Sequence, residues 1–481
     1  MKRFFFLVIP IHFLTVAHGQ ISFSEIPESG LEDARNGSLC LGDVDGDGDL
    51  DLLVSGKDPI NRRTILYLND GSGSYSEVPD TPFTGLEFGH AAFVDVDMDN
   101  DLDLLITGND HAPIYYAELY LNDGNGSFSL SEGTPFTPCV EGEFAFSDVD
   151  GDNDPDLLMT GYTAEGNGIA ELYINDGSGS FTESSGPFEP VASSAVTFFD
   201  MDNDGDQDVV IAGLNDMGIA VTNIYANDGS GVFSSWSADL IGLQLVDLDA
   251  GDTDGDGDLD LVFTGTTDPY EAVAGIYEND GSGNFSLLAG TPFTGANLGT
   301  INLADLDNDG DLDIIQTGNT DVIDTFTSNV YENTGSNIFV AVDSLEDAYL
   351  TSTAIGDIDN DGDLDAVILG ISNDADNTFG TRIYINELPV VPVTINEQYR
   401  QNAFLYPNPA SGLLFLTNEA KYAKTVSLYD IAGNLVESMT PQDNTICIFP
   451  NLPPGLYLAE IMVDDQVFYQ NVVVQEFLKL Y

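Results

Sequence analysis

Thirty-five of the chain's acidic residues fall into seven nine-residue stretches, the first reading Asp-Val-Asp-Gly-Asp-Gly-Asp-Leu-Asp. Each stretch has aspartate at positions one, three, five, seven and nine. The first set is Asp43, Asp45, Asp47, Asp49 and Asp51, and the second is Asp95, Asp97, Asp99, Asp101 and Asp103. The third is Asp148, Asp150, Asp152, Asp154 and Asp156; the fourth is Asp200, Asp202, Asp204, Asp206 and Asp208. The fifth is Asp252, Asp254, Asp256, Asp258 and Asp260, followed by Asp305, Asp307, Asp309, Asp311 and Asp313. Asp357, Asp359, Asp361, Asp363 and Asp365 complete the series. Carboxylates held this close repel one another unless a cation sits among them. An all-oxygen donor set without Cys or His selects a hard ion, and the flexible six-to-eight coordination of Ca²⁺ suits a loop better than the strict octahedron of Mg²⁺. Position six is always Gly or Asn, the residues that most readily take positive φ in a tight loop. Position twelve, where an EF-hand needs an acidic ligand, holds Val54, Ile106, Met159, Ile211, Phe263, Gln316 and Ile368, which excludes that motif.

The loops start 52, 53, 52, 52, 53 and 52 residues apart, so one structural unit is repeated. An apolar strand enters each loop, and a second leaves it and ends in Gly, as at Gly56, Gly108 and Gly161. A variable polar loop leads to a third strand such as Leu66-Tyr67-Leu68-Asn69. An Asp-Gly-Ser-Gly hairpin turn then gives a fourth strand led by an aromatic such as Tyr75 or Phe285. Four strands in about 52 residues, written seven times, predict an all-β, seven-bladed β-propeller with calcium loops. The fifth loop is preceded by an extra acidic insert, Asp247 to Gly251, which blurs its entry strand. The seventh repeat stops after Asn386 without a fourth strand. Phe23 lies 20 residues before Asp43, as Tyr75 does before Asp95, so the strand around Ile21 to Ile26 is expected to complete the last blade.

These motifs resemble FG-GAP/VCBS repeats, the calcium-loop units of integrin-α-type propellers, over roughly residues 20–388. The resemblance implies about seven Ca²⁺ ions as cofactors. It also implies that the carboxylates at positions one, three, five and nine are ligands, with the backbone carbonyl at position seven.

The formal charge is −71, and no Lys or Arg occurs between Arg63 and Arg382. Nucleic acid and anionic membrane surfaces are thereby excluded as main partners. Seven bound Ca²⁺ would still leave about 57 negative charges. Residues 1–19, with Lys2-Arg3, an apolar run from Phe4 to Ala17 and Gly19, read as a secretory signal peptide too short to span a membrane, and no later stretch approaches transmembrane length. Cys40, Cys139 and Cys447 form no disulfide framework.

After the repeats, residues 389–401 read as a linker and 402–481 as a small C-terminal β-sandwich. Leu405-Tyr406-Pro407-Asn408-Pro409-Ala410, Val426 to Gly433 and Leu452 to Leu458 show strands between Gly/Pro turns. This region resembles the C-terminal sorting domain of type IX secretion substrates in the Bacteroidetes. That resemblance implies recognition by outer-membrane secretion machinery and delivery outside the cell, either anchored to the surface or released.

No Ser/His/Asp arrangement or zinc spacing is present, and beyond the signal peptide only His90 and His111 could titrate near neutrality. Two functions follow: a calcium-stabilised binding or adhesion module for an extracellular glycan or protein, or a surface enzyme cleaving polysaccharide with a carboxylate pair. The propeller's few basic residues cluster. Lys57, Arg62 and Arg63 fall in the second-to-third-strand loop of the first repeat, Arg35 enters it, and Arg382 ends the matching loop of the seventh. That clustering points to an anion-recognising patch on the face opposite the calcium loops.

Overall fold

The computed structural model describes residues 21–388, apart from 28, 59, 113, 321–324 and 373–378, together with the strands between 404 and 474. The expected signal peptide and linker lie outside the described residues. The chain divides into two compact parts, Met1–Pro389 and Val390–Tyr481. Every regular element among the described residues is a strand.

Each ninth aspartate opens the strand that carries its repeat's core. Asp51–Lys57 and Asp103–Asn109 are buried along nearly their whole length, as near-continuous apolar runs require. The first repeat pairs Leu39–Gly42, Asp51–Lys57, Arg62–Asn69 and Tyr75–Glu77 as an antiparallel sheet in chain order. The second pairs Ala91–Val94, Asp103–Asn109, Tyr115–Leu121 and Ser129–Leu130 in the same order. In the fifth, the segment read as an acidic insert belongs to the entry strand Gln244–Gly251, paired with Asp260–Thr267. Alternation along it buries Val246 and Leu248 and leaves Asp247 and Asp249 on the other side.

Two joints depart from simple repetition. A single long strand, Phe339–Gly356, pairs first with Phe326–Asn333 and then with Asp365–Ser372, so it serves the sixth and seventh repeats in turn. The N-terminal strand Phe23–Glu25 pairs antiparallel with Phe379–Asn386, setting Phe23 opposite Asn386. It thereby supplies the fourth strand that the seventh repeat lacks.

The core lies between repeats. Val44, Leu53 and Leu66 of the first pack with Leu104, Ile106 and Tyr120 of the second. Leu52, Val54 and Tyr67 of the first pack with Val367, Leu369 and Ile383 of the seventh. Each sheet thus hides both faces against neighbours, and the first and last repeats are neighbours too.

In the C-terminal part, Phe404–Tyr406, Leu413–Thr417 and Ile446–Ile448 form one antiparallel sheet. Leu435–Met439, Ala423–Tyr429, Gly455–Val463 and Gln466–Val474 form a second.

Candidate metal centres

Within each loop the first aspartate organises the backbone. Asp43 Oδ1 accepts from the N–H groups of Gly46 (2.8 Å) and Asp47 (3.1 Å), and Oδ2 accepts from Gly48 (3.0 Å). Wrapping the chain around one carboxylate requires left-handed residues. Position six has φ from 71° at Asn153 to 97° at Gly362. Position four is left-handed as well, including Met98 at φ 61°, a requirement that residue types alone did not reveal.

The ninth aspartate ties the loop to the sheet. Asp51 is fully buried, its Oδ2 accepts from Val44 N at 3.0 Å, and its Oδ1 accepts from Asn69 N at 2.9 Å. Burial pushes its carboxyl up to about 6 despite those two donors, and the charges of Asp45 and Asp47 push the same way. Asp103, Asp156 and Asp208 are raised to about 6, and Asp313 and Asp365 to about 7, with burial first among the causes.

The aspartate at position three tests whether these groups fit an ion. Asp45, Asp97, Asp150, Asp202 and Asp359 each hold a buried Oδ1 with no hydrogen-bond partner. Oxygens of Asp43, Asp45 and Asp51 come within 4.8 Å of one another, and matching clusters form at Asp148, Asp150 and Asp156 and at Asp200, Asp202 and Asp208. In the second and fifth loops the trio is Asp95, Asp97 and Asp99, and Asp252, Asp254 and Asp256. A buried, unpartnered carboxylate oxygen aimed at other carboxylates is costly unless a cation completes it. The donor set is oxygen throughout, so these clusters could hold a hard metal ion.

The seventh aspartate takes a different course in three repeats. Asp49, Asp258 and Asp363 each accept a side-chain amide from a neighbouring loop, from Asn360 (2.8 Å), Asn203 (2.6 Å) and Asn308 (3.1 Å). The Asp49 carboxylate also lies over the hairpin turn of its own repeat. A Cβ on Gly71, whose φ is +75°, would stand 2.7 Å from Asp49 Oδ1 and displace that carboxylate, so this turn position favours glycine.

A further set of residues escaped the sequence reading. The asparagine closing each third strand donates Nδ2 to the position-two carbonyl of the preceding repeat's loop. Asn122 reaches Val44, Asn175 reaches Val96, Asn227 reaches Val149 and Asn279 reaches Met201, all at 2.8 Å. Asn333 reaches Thr253 and Asn386 reaches Leu306, both at 2.7 Å. Asn69 reaches Ile358 in the seventh repeat at 2.8 Å, which makes the series cyclic. The signal was present: asparagine precedes the hairpin turn in six copies and ends the last strand of the seventh.

Three of the five basic residues, Arg62, Arg63 and Arg382, are engaged by the chain's own carboxylates. Arg62 pairs with Glu87 and lies 2.8 Å from His111 Nδ1. Arg63 pairs with Glu32 at 2.6 Å and Asp58 at 3.6 Å, and Arg382 with Glu346 at 2.9 Å and Glu25 at 3.6 Å. Arg35 lies over the Phe379 ring at 5.1 Å, and its backbone bridges that of Lys57. The residues expected to attract an external anion are brought together, but the charges of Arg62, Arg63 and Arg382 are met internally. His90 stacks edge-on against Phe144 at 4.7 Å, and burial holds its ring neutral, with its pKa lowered to about 4. Cys40 and Cys139 are free thiols.

A family model described as an FG-GAP-like repeat matches residues 43–106, 95–159, 148–211, 200–263 and 252–315. A model of the secretion system C-terminal sorting domain matches residues 404–475. That domain directs export through type IX secretion to the cell surface or the extracellular space. No curated protein matches the chain. Among solved structures, a rhamnogalacturonan lyase of Bacillus licheniformis is 14% identical over 76% of this chain and 75% of its own, with a TM-score of 0.40. The Aleuria aurantia lectin in complex with alpha-methyl-L-fucoside is 9% identical over 65% of this chain and 97% of its own, with a TM-score of 0.39. No helix among the described residues is long and apolar enough to cross a membrane.

Proposed function

This chain belongs to the FG-GAP-like repeat family, and on that premise we propose that it is a calcium-stabilised, seven-bladed β-propeller acting outside the cell as a binding or adhesion module. Its ligand is a glycan or a protein. The domains are a signal peptide at 1–19, the propeller at 20–388, a linker at 389–401 and a sorting β-sandwich at 402–481. The observation that carries the calcium reading is the buried, unpartnered oxygen of the third-position aspartates. The cyclic asparagine series and the pairing of Phe23–Glu25 with the last repeat support seven blades. Binding is favoured over catalysis because a propeller presents loops on a rigid scaffold without requiring chemistry of them.

When bound, calcium would neutralise each carboxylate cluster and fix its loop. Asp43, Asp45 and Asp51, with their counterparts, would hold it. The binding face is then the opposite one, formed by the second-to-third-strand loops on the rigid sheets. A glycan array and a surface pull-down with the calcium-loaded mature chain test the reading. Retained ligand without product release supports it; depolymerisation of a captured polysaccharide overturns it in favour of an enzyme.

A further inference from the structure

Away from the metal loops, a cavity of about 470 Å³ is lined by a short segment from each of the seven repeats. Those segments begin the first strands, so the cavity opens at the end remote from the metal loops. Its rim is a backbone belt of left-handed residues, with φ from 47° at Ser193 to 58° at Phe88. Phe88 N donates to Asn36 O at 2.6 Å, Glu141 N to Phe88 O at 2.8 Å, and Leu350 N to Leu298 O at 2.6 Å. The rim side chains are apolar on one side, where Leu245, Leu298 and Leu350 stand together, with Phe88 across from them.

Below the rim, first strands of neighbouring repeats do not pair through their main chains, and side chains satisfy the exposed N–H groups instead. In the first and seventh repeats a serine suffices: Ser38 Oγ accepts from Ala91 N at 3.1 Å, and Ser352 Oγ from Leu39 N at 3.0 Å. The third and fifth repeats do the same job with carboxylates. Glu143 Oε2 accepts from Val196 N at 3.3 Å, and Asp247 Oδ2 accepts from Ile301 N at 2.7 Å. A carboxylate brings a second oxygen and a charge that this task does not need. Ala195 occupies the matching position in the intervening fourth repeat and adds no polar group there, while Ser193 and Ser194 of that repeat line the cavity. Asn302, on the same wall, keeps a buried Oδ1 without a hydrogen-bond partner.

No Lys or Arg lines the cavity, and its single histidine is held neutral. Glu143 and Asp247 therefore face one space, which Glu141 also lines, with no Lys or Arg beside them. Burial raises both carboxyls, and each feels a further acid, Asp247 for Glu143 and Asp249 for Asp247. An ammonium group would favour the ionised form of both acids, which a neutral sugar would not. A calcium ion needs six to eight oxygens at 2.3–2.6 Å, and Leu245, Leu298 and Leu350 on the apolar side of the rim offer it no side-chain oxygen.

We propose that this cavity receives a primary ammonium group carried on an alkyl chain, such as a lysine side chain or a free alkylamine. Glu143, Asp247 and the Asn302 carbonyl accept its three N–H donors, and Leu245, Leu298, Leu350 and Phe88 lie along the stem. This names a ligand class within the reading of the chain as a binding module and rests on that reading.

The test is calorimetric titration of the calcium-loaded mature chain with 1,5-diaminopentane and with Nα-acetyl-lysine methylamide. Pentanol, which has the stem without the charge, and ammonium chloride, which has the charge without the stem, are the controls. Both amines should bind once per chain, at least about tenfold tighter than either control. Glu143→Ser and Asp247→Ser install the hydroxyl that the first and seventh repeats already use. They should weaken amine binding about tenfold or more while leaving calcium-dependent melting in place. Tighter binding of the lysine derivative assigns the site to a protein partner, and tighter binding of the diamine to a free amine. Absence of saturable amine binding overturns the proposal, as does binding unchanged in both serine variants. So does an additional calcium ion lost in those variants. If amines fail to bind while a glycan or protein ligand is still captured, this inference falls and the binding-module reading stands.

Discussion

Asn69, in the first repeat, donates its side-chain amide to the carbonyl of Ile358 in the seventh at 2.8 Å, across 289 residues of sequence. The same asparagine offers its backbone N–H to Asp51. One residue thus joins the ninth-position carboxylate of its own loop to the backbone of its neighbour's. The other six asparagines repeat the arrangement, so the seven acidic loops form a single connected network.

Replacing one link tests that network. Asn122→Ala removes donors to Val44 and Leu102 and the acceptor for Asp123 N, all at a residue only 8% exposed. The expected cost is about 2–4 kcal/mol, because the buried Val44 carbonyl would lose its partner. Calcium affinity should fall as well, since Val44 belongs to the loop of the first repeat. Chemical denaturation and a calcium titration measure the two effects; an unchanged titration would confine the link to folding.

Calcium removal should destabilise the chain well beyond any single substitution. A site held at about 100 times its dissociation constant contributes about 2.7 kcal/mol. Excess chelator should therefore lower the melting temperature steeply, and Mg²⁺ should restore little of it. A melting curve indifferent to chelator would remove the metal centres from the account.

The cavity acids give a pH signature with a defined sign. Asp247 is raised to about 7, chiefly by burial, and Glu143 is raised as well. A carboxyl whose folded pKa exceeds its unfolded value binds more protons in the fold, so stability falls as pH rises from about 4 to about 7. Asp249 and the two acids themselves crowd this pair, Glu141 and the neutral His90 share the lining, and no Lys or Arg lies on it. The double variant Glu143→Ser with Asp247→Ser escapes the penalty. In saturating calcium without amine, its stability relative to wild type should improve by about 1–3 kcal/mol between pH 5 and pH 8. Parallel pH profiles would show that the acids carry no such strain.

The ion pair of Arg62 separates a structural role from a recognition role. Its partner Glu87 has a side chain only 3% exposed, against 14% for the arginine. Arg62→Ala leaves that carboxylate buried without its cation and should cost about 3 kcal/mol. A variant that loses ligand capture while melting normally would return Arg62 to an anion-recognising patch.

Much of this design is readable in the amino-acid order because it is local. The nine-residue spacing, the Gly or Asn at position six and the aromatic after each hairpin turn all act within one repeat, and seven copies make each requirement visible. The asparagine links are harder to see, since their partners lie 78 to 80 residues upstream, or 289 downstream at the closing joint. The roles of Asp247 and Asp249 are obscured for another reason. Beside Asp252 they read as more of the same acidic loop, and only alternation along a paired strand assigns them elsewhere. The basic cluster was visible in sequence, but its carboxylate partners were not, because Glu32, Glu87 and Glu346 are three acids among 82.

The short strand Phe23–Glu25 sets the tempo of folding. Ser22 and Asn386 meet across 364 residues, so the last sheet is completed by a contact of nearly the greatest possible sequence separation. Non-local pairing is slow, because loop-closure entropy must be overcome before any contact rewards it. A chain released amino terminus first can stack its early repeats as they emerge, yet its opening strand must wait for Phe379–Asn386. Until then the outer edge of the seventh repeat stays unpaired and open to proteases or to another chain's strand. Pulse-labelled amide exchange during refolding should therefore find Phe23–Glu25 among the last segments to gain protection.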